Sequence, residues 1–97
     1  MQLGKYSKVP ADRKRYSIDY SDWLDQSELV SSVTFGVTPS EAGMLVIDGT
    51  SIDTTKTISV FYASAGNVGS VYTVAVTMTT SGGQIREDTV QYTVKSP

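Results

Sequence analysis

Two alternating runs close this chain, Tyr72 to Thr80 and Arg86 to Val94, with Ser81-Gly82-Gly83-Gln84-Ile85 between them. Strict alternation of bulky and polar residues has the period of a half-buried strand, so the pair predicts a long β-hairpin. Gly69-Ser70-Val71-Tyr72 leads into it. A Gly-x-x-Tyr opening the penultimate strand, followed by a hairpin, is how many immunoglobulin-like sandwiches finish, and it predicts a tyrosine corner at Tyr72.

The hairpin register is constrained by parity. Tyr72, Val74, Val76 and Met78 form the apolar face of the first run, and Val90, Tyr92 and Val94 that of the second. All are even-numbered, and a slip of one residue would send one set to the wrong face. A two-residue Gly82-Gly83 turn pairs Ser81 with Gln84 and produces that slip. Closure at Ser81 and Ile85 avoids it, so we expect Val76 opposite Val90, Val74 opposite Tyr92, and an odd-length loop or glycine bulge at the tip.

Similar segments precede the hairpin. Tyr16-Ser17-Ile18-Asp19-Tyr20 alternates, with Tyr16, Ile18 and Tyr20 as its apolar set. Ser21 to Glu28 is rich in capping and turn residues and holds the one tryptophan, which suits a single helical turn or compact loop with Trp23 and Leu24 plugging an end of the fold. Leu29, Val33, Phe35 and Val37 mark the next strand, ended by Thr38-Pro39-Ser40. Met44 to Asp48 is a short apolar run between Gly43 and Gly49, expected to be a strand buried on both sides or at a sheet centre, and Ile52 adds a short piece. In Thr57 to Ala63 we place Ile58, Val60 and Tyr62 inward, leaving Phe61 on the outer face, either covered by another segment or part of a contact surface. Six or seven such segments without a longer helical period predict an all-β, immunoglobulin-like antiparallel β-sandwich of about seven strands.

A chain of 97 residues forms one domain with one small core. It contains no cysteine and no histidine, which removes disulfides, thiolate chemistry, the usual zinc ligands and the commonest general base. Serine-histidine and cysteine-histidine catalysis are excluded within the chain, and we expect neither an enzyme nor a cofactor. No apolar run approaches the roughly 20 residues that span a bilayer, and the N-terminus lacks the apolar stretch of a signal peptide. The expectation is synthesis in a cytoplasm, no membrane partner, and stability independent of oxidation.

The formal charge of -2 conceals a division. Lys5, Lys8, Arg13, Lys14 and Arg15 against Asp12 give residues 1–15 about +4 by formal count, leaving about -6 on the rest. Residues 1–14 also lack any clear period and contain Pro10, so they are expected to form an extended basic arm, mobile in isolation, ahead of a sandwich domain over 15–97. Such an arm can be a solvated tail, touch nucleic acid, or dock on the acidic body of another protein, including a second copy. Basic and aromatic residues are not interleaved on the strands as base stacking requires, which disfavours nucleic acid.

Other candidate sites are weaker. Asp19, Asp22, Asp25 and Glu28 recur every three residues, but not in the twelve-residue calcium-loop pattern. Glu87 and Asp88 are neighbours on a strand and so point to opposite faces, unable to converge on one bond. Arg86 and Asp88 take the inward parity near the hairpin tip, as a charge pattern at the sheet end or as a partner contact. Six tyrosines and a tryptophan would make a sugar platform only if exposed, and four tyrosines fall at inward positions.

Lys14-Arg15-Tyr16-Ser17-Ile18-Asp19-Tyr20-Ser21-Asp22-Trp23-Leu24, then Ser32-Val33-Thr34-Phe35, then Tyr72 to Thr77, Thr79 to Gly83 and Arg86-x-Asp88 together resemble a family of small proteins of tailed bacteriophages, the fiber-tail adaptor proteins. The first block is the specific one, because valine-threonine hairpins recur in unrelated sandwiches. The resemblance implies a non-enzymatic virion component, located in the tail or neck, that links the tail to its receptor-binding fibres. Its partners would be tail or neck proteins and the fibre, with copies forming a ring. The basic arm would then bridge to an acidic neighbour, and Lys5, Lys8, Arg13, Lys14, Arg15, Phe61, Arg86 and Asp88 are the partner-binding candidates. Two other roles fit the composition: an immunoglobulin-like surface module that binds host carbohydrate, and a head or tail decoration domain.

Overall fold

The computed structural model describes residues 2–97. Seven strands follow one another: β1 (Gln2–Lys8), β2 (Lys14–Asp19), β3 (Val30–Thr38), β4 (Leu45–Ile52), β5 (Ile58–Ala65), β6 (Val71–Thr80) and β7 (Ile85–Val94). They form two sheets, ordered β1-β7-β6-β3 and β2-β5-β4. The all-β sandwich read from the alternation is therefore present. The β3-β6-β7 and β2-β5-β4 orders are those of the CFG and BED strands in immunoglobulin-type sandwiches, while the first strand lies on the last one instead of beside the second.

That first strand is formed by residues 2–8 of the expected extended arm. β1 runs parallel to β7, with Gly4 opposite Val90, Tyr6 opposite Tyr92 and Lys8 opposite Val94. The Tyr6 ring stacks on Tyr92 at 5.6 Å and tilts against Tyr16 at 4.9 Å, and Leu3 packs on the core. An irregularity between Gln2 and Gly4 breaks the alternation. Two apolar residues three apart thus reach the same interior, and no period shows in the sequence.

The hairpin keeps its expected parity but closes one residue earlier on each strand. Thr80 N–H donates to Gln84 O at 2.8 Å, leaving a three-residue loop, Ser81 to Gly83, and setting Val74 opposite Val90 and Tyr72 opposite Tyr92. The loop length is odd, as expected; the specific pairs are not those expected. Gly83 has φ +89°, the left-handed conformation that a three-residue hairpin loop needs at its last position. Closure at Ser81 and Ile85 would have put Gln84 there. Ser81 instead ties the tip to the start of β3, its N–H donating to Leu29 O and its Oγ accepting from Leu29 N–H.

Two face assignments are corrected as well. In β5 the buried residues are Ser59, Phe61 and Ala63, so Phe61 is core, 1% exposed, and not an outer contact. Apolar side chains occupy both faces of this central strand, and its own pattern is ambiguous. Pairing decides: Phe61 lies opposite Tyr16 of β2, and cross-strand neighbours share a face. In β4, Leu45 is buried but Val46 is 43% exposed, because β4 is an edge strand with a single covered face. Ile52 belongs to the same strand, past an irregularity at Gly49 and Thr50.

The core joins Leu45, Phe61, Tyr72, Val74, Val76 and Tyr92 between the sheets. A second cluster of Tyr20, Val30 and Met78, covered by Trp23 and Leu24, fills one end, as expected of that loop.

Candidate partner-binding surfaces

The molecule is elongated, 45 × 21 × 20 Å. Strand order places the β2–β3, β4–β5 and β6–β7 connections at one end and the β1–β2, β3–β4 and β5–β6 connections at the other. Asp19, Asp22, Asp25, Glu28 and Asp53 gather at the first end around Lys56. Arg13, Lys14, Arg15 and Lys95, with the buried Lys8, stand at the second with Asp12 and Glu41. The charge division along the sequence thus becomes a division along the long axis.

At the acidic end the carboxylates serve the turns. Asp19 accepts from Ser21 N–H at 2.9 Å, which holds its carboxyl below the usual range. Asp53 accepts from the Thr55 hydroxyl and from the N–H groups of Thr57 and Ile58, with the same effect. Asp25 accepts from Gln84 Nε2 at 2.7 Å and so binds the hairpin tip. Among the described residues no group of three or more acidic side chains is placed to hold a metal ion.

Arg86 and Asp88 form an internal pair. Arg86 Nε donates to Asp88 Oδ2 at 2.8 Å, Asp88 is 1% exposed, and the guanidinium lies 5.4 Å from the centre of the Trp23 ring. The pair pins the Trp23 loop to β7, and in this packing Asp88 is not offered to a partner. Glu87 is exposed on the opposite face, as strand alternation requires.

The five basic candidates separate into different roles. Lys5 is exposed on β1. Lys8 is buried, its Nζ donating to Val9 O and Ala65 O, and burial pulls its pKa down while Asp12 partly restores it. It therefore fastens the end of β1 and is not a surface charge. Arg13 pairs with Asp48 at 3.0 Å and lies 4.1 Å from the centre of the Tyr62 ring, covering the outer face of β5. Lys14 and Arg15 are exposed at the start of β2, with Lys14 Nζ 5.8 Å from the centre of the Tyr16 ring.

β2 is an edge strand, and so is β1. Where the two edges face one another, Tyr6 and Tyr16 meet, and a cavity opens on either side of them. One, about 220 Å³, is lined by Leu3, Ile18, Phe61 and Val90; the other, about 410 Å³, by Lys8, Asp12, Arg13 and Lys14. Sequence reasoning missed this seam. Its signal was Tyr6, an aromatic in a segment otherwise without pattern. Of the six tyrosines only Tyr6 is exposed, which counts against an aromatic platform for sugar.

A family model described as "Podophage GP4 fiber-tail adaptor protein gp77" matches residues 8–94. The chain belongs to this family. The match spans β2 to β7 entire and only the last residue of β1, so membership in the fiber-tail adaptor family rests on six of the seven strands and not on the Tyr16 to Leu24 block alone. No individually curated protein matches the chain.

Proposed function

We propose that this fiber-tail adaptor family member is a non-enzymatic structural component of a podophage virion, located at the tail or neck, where it links the tail to receptor-binding fibres. The family match over nearly the whole sandwich is the observation that carries this reading. The oppositely charged ends support a ring of copies. A head-to-tail contact between unlike surfaces closes into a ring when the rotation allows, and complementary potentials favour it over other arrangements. The two ends now take the role first assigned to the basic arm, which is committed to β7 within its own chain.

The reading is tested on particles assembled without the protein and imaged by cryo-electron microscopy. Tails that lack fibres are expected, with fibres restored by supplying the chain. Normal fibre occupancy without the protein would refute the adaptor role and leave decoration as the alternative.

A further inference from the structure

We infer that the seam between β1 and β2 is a docking groove for an extended segment of another virion protein, one that carries an apolar residue and, four positions away, an acidic residue. The inference rests on the adaptor reading for the source of the segment and on this structure for its chemistry.

Because β1 pairs with β7, the edge of β2 where a first strand would ordinarily lie is unoccupied by any described residue. Its peptide groups on the side away from β5 are open to an added strand. Beside that edge lie the two cavities of the seam, different in character. The one beside Ile18 has an apolar floor of Leu3, Phe61 and Val90; the one beside Lys14 offers that exposed ammonium against Asp12, while Lys8 is committed to Val9 O and Ala65 O and Arg13 to Asp48. From Ile18 to Lys14 is four residues of strand, about 13 Å at roughly 3.3 Å per residue. A strand laid along β2 therefore places an aliphatic side chain in one cavity and a carboxylate in the other when the two are four positions apart.

The charge on the edge also selects against the simplest competitor. Lys14 and Arg15 repel the same edge of a second copy, a common defence of exposed strands, yet attract an acidic strand. The chain's own basic N-terminal segment is mismatched in sign and already engaged.

The test is amide chemical-shift mapping of the purified full chain with two synthetic extended peptides. One bears leucine and glutamate four positions apart on a threonine background; the other has lysine in place of glutamate. Expected are shifts confined to residues 3–19 and to the neighbours of Phe61 and Val90, with the glutamate peptide bound about tenfold more tightly, the effect of exchanging an attractive for a repulsive charge. Lys14→Glu, an exposed change that leaves the remaining amide spectrum in place, is expected to reverse the preference. No binding, equal binding of both peptides, shifts elsewhere, or concentration-dependent shifts at β2 without peptide would each overturn the inference. The adaptor reading is judged separately, by the particles: fibres lost without the protein but retained with Lys14→Glu would sink the groove and keep the adaptor.

Discussion

The Tyr72 hydroxyl donates to Glu41 Oε1 at 2.7 Å while accepting from Asn67 N–H at 3.0 Å. The bond to the backbone five residues upstream is the tyrosine corner expected at this position; the bond to Glu41 ties the β3–β4 connection to the β5–β6 connection. Asn67 Nδ2 adds a donation to Ala42 O at 2.8 Å. Tyr72→Phe keeps the ring in the core and deletes both bonds, at a cost of about 1 kcal/mol or somewhat more. Urea unfolding measures it, and a loss within error of zero would mean the corner contributes nothing.

Hydrogen bonds from Tyr72, and then from Asn67, hold the Glu41 carboxyl below its usual range. The folded state thus favours the ionised form, so its contribution is present above the ordinary carboxylate pKa of 4.5 and is lost as pH falls through the lower folded value. Glu41→Gln is expected to flatten that part of the acid unfolding curve. Asp19 and Asp53 act in the same direction and will leave a residual slope.

Phe61 touches Tyr16 and Phe35, with ring centres 5.7 and 5.0 Å away. Phe61→Ala should cost about 3–5 kcal/mol, the range for a deleted core aromatic. An outward Phe61 would have made the change nearly neutral, so a thermal or urea midpoint close to wild type would contradict the buried placement.

Burial raises the Tyr20 pKa to about 12 and pushes Tyr92 and Tyr16 upward. These groups hold their protons in the folded state beyond pH 10, where the unfolded chain releases them. Stability should therefore fall as pH rises above 10. Tyrosinate absorbance is expected to show a delayed class that appears only with unfolding; six tyrosines ionising together near pH 10 in a folded protein would contradict this.

Removal of residues 1–8 strips β7 of one of its two partner strands and uncovers Tyr92. The truncated chain should be markedly less stable and prone to self-association through the bared edge. Light scattering and thermal unfolding check this, and an unchanged, monomeric truncation would restore the picture of an arm mobile in isolation.

Alternation, with the apolar run at Met44 to Asp48, determined the strands from Tyr16 onward, the even-numbered inner face of the hairpin and its odd loop. These follow from local periodicity and turn chemistry, which neighbouring residues carry. The absence of cysteine and histidine likewise excludes disulfide, thiolate and histidine-based chemistry within these residues. Tertiary structure alone decided the rest, because it depends on which strands meet. Phe61 turned inward through its pairing with Tyr16, against a strand apolar on both faces. The glycine at the last loop position, with Ser81 bound to Leu29, chose between two registers of equal parity. β1 found β7 through Tyr6 and Leu3 across an irregularity that hides their period. The seam beside β2 exists only because β1 lies on β7, a long-range pairing between the two ends of the chain that no local pattern records.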